Sequence, residues 1–361
     1  MDYEGLMIKY KYRASPVLTE DEMNNQLHQN EKIDLGDRNI MDDTAVIHFS
    51  SGYMEIVDKW YSVKGFLTVS ALGSLVLCIA GDFYMPYNMF VHYFLQHDYD
   101  TSFYVIGLIA LTITLLLTFI FWRMLRVECF RWTHYPVRFD RKNRRVHVFS
   151  TDGDIYSAPW DEIFFTTGCY TKTRFKRKYY DIRGHVLAED RKTVLRTFTF
   201  PVSAARREEL YANWEFVRRY MEEGPEAVAH VLKLMPPVEG RREGILFGYW
   251  YLMLSAAYGA PLFLVPFLMV LYLTVWPFRL FAMYSCKIPR WSAEVEVQCV
   301  IAPDDPWDIS AVHNPRPLWR WMVGLDMAHS MVDKKQAMIA AAKAADSTQK
   351  IEKKIKKGIN K

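Results

Sequence analysis

Residues 103–122, FYVIGLIALTITLLLTFIFW, form an apolar run with no charge and no proline, closed by Arg123 and Arg126. At ~1.5 Å per residue a helix of that length covers about 30 Å, the hydrocarbon thickness of a bilayer. A membrane span is expected here, with Trp122, Arg123 and Arg126 as its interfacial anchors. The preceding segment 81–102 carries Asp82, Asp98 and Asp100 but no Lys or Arg, whereas 127–243 is rich in both. Basic loops stay in the cytoplasm, so the short acidic loop is expected outside and the long basic segment inside.

Composition supports a chain of two characters. Hydrophobic residues make up 51%, yet the mean hydropathy is −0.09, so apolar runs alternate with strongly polar ones. The five cysteines, Cys78, Cys129, Cys169, Cys286 and Cys299, are scattered without paired spacing. That pattern fits a reducing compartment and predicts neither a disulfide framework nor a zinc site. A net charge of +4 is too small to imply a nucleic-acid partner. The polar N-terminus MDYEGLMIKYKYR predicts no cleavable signal.

Taken in order, 1–64 reads as a cytoplasmic arm, polar to about Arg38, followed by a β-hairpin within TAVIHFSSGYMEIV, 44–57. A lone hairpin needs a surface to pack on, and the soluble domain is the expected one. Trp60 and Lys64 mark the cytoplasmic interface of a first span over 65–83, which forms a hairpin with 103–122. The outward loop between them holds His92, His97, Asp98 and Asp100, without the spacing of a metal site.

Segment 123–243 is expected to be an antiparallel β domain. Strands are predicted at 136–139, 146–149, 155–160, 163–170, 179–186 and 194–200, the last ending at Pro201. A helix follows over 203–221, with Ser203 as N-cap and Leu210, Trp214, Val217 and Met221 on one face. This order of short strands and one helix, especially through 137–163, resembles the pleckstrin-homology-like barrels of bacterial membrane proteins. The resemblance implies a barrel plugged by the helix, with Trp214 as anchor, but it assigns no ligand.

Residues 244–278 lack any charge, and Gly259, Ala260 and Pro261 interrupt them. Two tight legs, 244–258 and 261–278, are expected as a transmembrane or re-entrant hairpin, with Arg279 anchoring the cytoplasmic end. Tyr249, Trp250 and Tyr251 resemble an interfacial belt, which leaves a single long span as the other reading. Three or four spans therefore remain open. Over 279–361 a strand is predicted at 293–302, a helix at 318–345 and a basic tail to the end, with both termini cytoplasmic.

Two basic clusters are candidate surfaces for a partner or for membrane lipids. One is Arg138, Arg141, Lys142, Arg144 and Arg145; the other is Lys172, Arg174, Lys176, Arg177 and Lys178. Each such cation contributes about 1 kcal/mol near an anionic leaflet. No phosphate loop, nucleophile elbow or HExxH motif is present, so no enzyme, cofactor or metal is expected. No ionisable group is expected deep inside a span, which argues against transport.

GYMEIVDKWYS at 52–62, PVRFDRKNRRVHVF at 136–149, APWDEI at 158–163 and the second apolar hairpin resemble a family of uncharacterised bacterial inner-membrane proteins. The resemblance spans about Tyr53 to Pro289. Such proteins are often encoded beside type VI secretion toxins, which implies an immunity or accessory role with a bacterial toxin as partner. No binding residue carries over from it. The different-class alternative is a membrane-bound scaffold whose basic domain holds a cytoplasmic partner or anionic headgroups. The oligomeric state is not legible.

Overall fold

The computed structural model describes residues 17–36, 38–97, 101–172, 177–257, 261–315, 331, 333 and 335–337. The first sixteen residues, Asp98, Asp100, Arg174, Lys176, Gly259, Ala260, nearly all of the expected helix 318–345 and the basic tail lie outside them.

Among the described residues, two antiparallel sheets carry the β domain. α1 (Glu20–Asn24) leads into β1 (Gln26–Leu27), which pairs with β7 (Phe164–Lys172) beside β8 (Arg177–Leu187) and β9 (Val194–Ala204). The second sheet has the order β10-β2-β3-β4-β5-β6, from Ile309–Ser310, Val46–Phe49, Tyr53–Ile56, Val137–Asp140, Arg145–Phe149 and Ile155–Pro159. The N-terminal hairpin β2–β3 thus joins the domain by pairing Tyr53–Ile56 with Val137–Asp140. The sheets are not closed on one another, so the chain forms two open sheets rather than a sealed barrel.

Alternation explains how the larger sheet buries both faces. Met54, Ile56, Val137, Phe139, Val146 and Val148 turn to the shared core, whereas Glu55, Arg138, Asp140 and His147 take the other face. The core is aromatic: Trp160 stacks on Trp214 at 5.9 Å, and Phe165 lies 4.9 Å from Trp214. Trp214 belongs to α4 (Tyr211–Glu222), which is buried almost all round, and Trp160 Nε1 donates to Glu222 at 2.6 Å. The expected stripe of Leu210, Trp214, Val217 and Met221 is buried. The helix starts later than expected because Ser203 belongs to β9, opposite Asp181. β9 continues past Pro201 because it is an edge strand whose register slips beside that residue, where a missing N–H costs no ladder bond.

Among the described residues, three helices are long and apolar enough to cross a membrane: α2 (Phe66–Phe94), α3 (Thr101–Glu128) and α6 (Val265–Ser285). Their outer faces expose Leu77, Phe83, Ile106 and Phe119. The chain is therefore membrane-associated. α2 runs well past the expected end at residue 83, since Pro86 sits inside the helix and most of the anticipated outward loop is helical. Asp82 faces α3 and accepts from Thr118 Oγ1 at 2.7 Å.

The first leg of the second apolar segment differs from a span. The described part of α5 (Ile245–Ala257) has 13 residues, about 20 Å, short of the hydrocarbon core. Phe247 and Tyr251 pack instead on Ala45, Ile47, Val57 and Tyr61, against the β domain. Where a strand is expected from 293, the chain forms α7 (Ala293–Gln298). Ser292 caps it by accepting from Val295 N, and Val295 and Cys299, one turn apart, face the sheet while Val297 is exposed. Alternating Glu and Val fits either period over so short a run.

Trp214→Ala is expected to lower stability by about 3–5 kcal/mol, because the ring fills the space between the sheets. Thermal unfolding of the detergent-solubilised chain, followed by tryptophan fluorescence, measures it.

Candidate functional site

The bases of the apolar helices meet the β domain in one polar seam. Gly65, with φ of +106°, turns the chain into α2, and a Cβ there would sit 2.8 Å from the Arg279 backbone. Only glycine allows both the turn and the approach. The first amides of α2 have no intrahelical acceptor. The Glu128 carboxylate at the end of α3 supplies one, taking Gly65 N at 2.6 Å and Thr68 N at 2.7 Å. Its negative charge also suits the positive end of the helix dipole.

Beside this cap lies Arg279, expected as an interfacial anchor but fully buried in α6. Its Nε and Nη2 donate to the two oxygens of Glu243 at 2.6 and 2.8 Å, a bidentate pair with neither side chain exposed. Nη1 donates to the Tyr61 and Lys64 carbonyls, and Tyr61 OH donates to Glu243 at 2.6 Å. The guanidinium lies over the Tyr61 and Tyr251 rings, 5.0 and 5.5 Å from their centroids. With Asp82 on α2, Arg279 on α6 is an ionisable group carried by the apolar helices.

A cavity of about 310 Å³ opens at the same seam, walled by Trp60, Phe66, Leu67, Val127 and Tyr135 with Asp58, Lys64, Glu128 and His134 at intervals. The polar groups are engaged by the protein. Lys64 Nζ donates to the Trp132 carbonyl at 2.8 Å, and Asp58 accepts from Tyr135 N and Trp60 N. Desolvation nevertheless pushes the Asp58 carboxyl up. Burial, helped by the Lys64 charge, holds the His134 imidazole down at about 3. This wall accepts an apolar group; its one hydroxyl–imidazole contact among the described residues, Thr133 Oγ1 to His134 Nδ1 at 3.0 Å, is buried in the wall.

The loop before α5 is held by a second ionic contact. His48 on β2 lies 2.9 Å from Glu239 and 3.3 Å from Asp308. Burial pushes its imidazole down, but these carboxylates outweigh burial and raise it to about 9.

The expected basic surface is distributed unevenly. Arg138 is buried against Glu55 at 2.7 Å. Arg144 pairs with Asp161 and Glu222, Arg141 donates to the Ser51 carbonyl, Arg145 is half-buried, and Lys142 is exposed. Lys172 and Arg177 stand opposite each other at the ends of β7 and β8, and Lys178 is exposed next to them. Of the other anchors, Trp122, Arg123 and Arg126 are exposed on α3, while Trp60 packs with Tyr135 and Phe149. Lys64 is buried rather than directed at headgroups. Sequence reasoning did not find Glu243, Glu128 or His48 because their partners are remote in the chain.

Removing one member of the buried pair, as in Arg279→Met, is expected to cost about 3–5 kcal/mol, while the double variant with Glu243→Leu loses no more than the worse single one. Thermal unfolding of the three variants tests the coupling. Two opposed pH limbs are also expected. His48, raised above 6.5, stabilises fully below that value and loses its contribution as pH rises through about 9. His134, depressed, stabilises fully above 6.5 and loses its contribution as pH falls towards 3. His48→Gln should flatten the alkaline limb of a melting-temperature profile, and His134→Gln the acid limb.

No curated protein and no solved structure matches the chain. Residues 114–303, from within α3 through the β domain and α6 to beyond α7, match a family of unknown function, DUF6708. More than half of the sequence lies in that match, and the chain belongs to this family.

Proposed function

We propose that the chain is a membrane-anchored immunity or accessory protein of a type VI secretion toxin system, acting at the bacterial inner membrane by binding the toxin. The observation that carries this reading is the buried Glu243–Arg279 seam, which joins the apolar helices to the β domain without a free linker. A domain fixed in this way presents one face at a constant height above the bilayer. Confinement to that surface raises the effective concentration of an inhibitor against a toxin that attacks or crosses the membrane. The likeness of 52–62, 136–149 and 158–163 to proteins encoded beside such toxins supplies the biological class. In this reading both termini are cytoplasmic, and the strands and α4 are a variant of the pleckstrin-homology-like arrangement, opened between its sheets.

A second reading, a scaffold that binds a cytoplasmic partner or anionic lipid headgroups, draws on exposed Lys142 and Lys178 and on the long β7–β8 hairpin. Competition separates the two. A deletion strain is grown in dense contact with its isogenic parent and, separately, with a secretion-deficient parent. Immunity predicts loss of viability only beside the secreting parent. Equal survival in both cultures, with the toxin system shown to be firing, would sink immunity; a growth defect without any attacker would favour the scaffold.

A further inference from the structure

The polar face of the larger sheet gathers three side chains that no feature of the seam uses. Asp140 ends β4, His147 lies in β5 one diagonal step away, and Cys299 reaches them from the end of α7. All three are buried, and one donor atom from each lies within 4.8 Å of the other two. Asp140 Oδ2 is 3.7 Å from His147 Nε2 and 3.7 Å from Cys299 Sγ. A tetrahedral zinc ion, with ~2.0 Å bonds to oxygen and ~2.3 Å to sulfur, sets oxygen–sulfur edges of ~3.5 Å. The observed separations are close to that figure.

The surroundings are arranged as those of a ligand set. His147 is 1% exposed, and among the described residues its Nε2 has no hydrogen-bond partner. Its Nδ1 is 2.7 Å from Ser157 Oγ, the residue directly opposite on β6, which orients the ring so that Nε2 points toward Asp140 and Cys299. Asn143 donates through its backbone N to Asp140 Oδ1 and through Nδ2 to Oδ2, at 3.0 and 2.7 Å. The charges also balance. A dication meets the Asp140 carboxylate and the Cys299 thiolate, while neighbouring Arg138 is already neutralised by Glu55. Asn143, exposed in the β4–β5 turn, also donates to the Gln298 carbonyl at 3.3 Å and so links Asp140 to the end of α7.

We propose that Asp140, His147 and Cys299 form a site for a divalent transition metal of zinc type, pinning α7 to the larger sheet. One carboxylate, one imidazole and one thiolate are a donor set that zinc accepts and that magnesium or calcium, which seek oxygen, does not. Three protein donors leave a fourth tetrahedral corner for water. Binding forms the metal–sulfur bond and releases the thiol proton to solvent, which makes affinity rise with pH. Because α7 follows α6 directly, the ion would also tie the end of a membrane helix to β4 and β5.

The full chain, purified in detergent without chelator, is assayed for metal by mass spectrometry and titrated with Zn²⁺ and with Co²⁺. The expected result is one zinc per chain, and with cobalt the visible bands of a tetrahedral site together with a thiolate charge-transfer band. Both are expected to vanish in Cys299→Ser and His147→Gln and to persist in Cys169→Ser. Because a buried substitution can unfold the chain, unaltered protein is also treated with iodoacetamide. Zinc should slow alkylation of Cys299 and leave Cys169 unchanged. Absence of the cobalt–thiolate band from unaltered protein would overturn the proposal, as would Cys299 labelling indifferent to zinc or zinc retained by folded Cys299→Ser.

Discussion

The ion pair between Arg279 and Glu243 is the interaction on which the rest of the arrangement depends. Taking two charges out of water is costly, and their attraction offsets the cost only where geometry is good and the remaining donors are satisfied. Both conditions hold, since the guanidinium also reaches the carbonyls of Tyr61 and Lys64. Those carbonyls belong to the loop entering α2, Glu243 belongs to the loop entering α5, and Arg279 belongs to α6. One cation therefore sets the approach of three chain segments, and Gly65 is needed because the loop must come within van der Waals contact of the Arg279 backbone. The Glu128 cap then fixes α3 to α2 at the same level.

From that seam the β domain is built outward on a simple division. The larger sheet places one set of alternating residues against the aromatic core and the other against α7 and Trp291. On the second face the strands carry charge, and each charge is met within the domain: Glu55 by Arg138, and Asp140 by Asn143 with His147 and Cys299 beside it. A sheet buried on both sides is ordinarily apolar on both. Here it is not, and the polar face is where a segment following the membrane helix docks.

The same neutralisation reshapes the positive surface. A run such as Arg138 to Arg145 reads as a cationic patch when counted along the chain, but Arg138 and Arg144 meet acids from β3, from 161 and from α4. Ions that are paired contribute little to attraction at a distance. The field available to a lipid or partner therefore comes from fewer side chains than the composition of 127–243 implies, and Lys142 and Lys178 are exposed.

By itself the sequence determined the local features. The run at 103–122 required an apolar helix, the alternation in 137–149 required paired strands, and Leu210, Trp214, Val217 and Met221 required a buried helical face, because each signal lies within a few turns or strand steps of itself. Element ends were less legible: Pro86 did not stop α2, Pro201 did not stop β9, and alternation at 293–298 gave way to a capped helix. Only tertiary structure decided the candidate sites. Glu243 and Arg279 are joined across α5, His48 reaches Glu239 and Asp308, and Asp140 meets Cys299 159 residues further along, with α6 between them. No spacing rule connects such residues, because what brings them together is the packing of whole elements against one another.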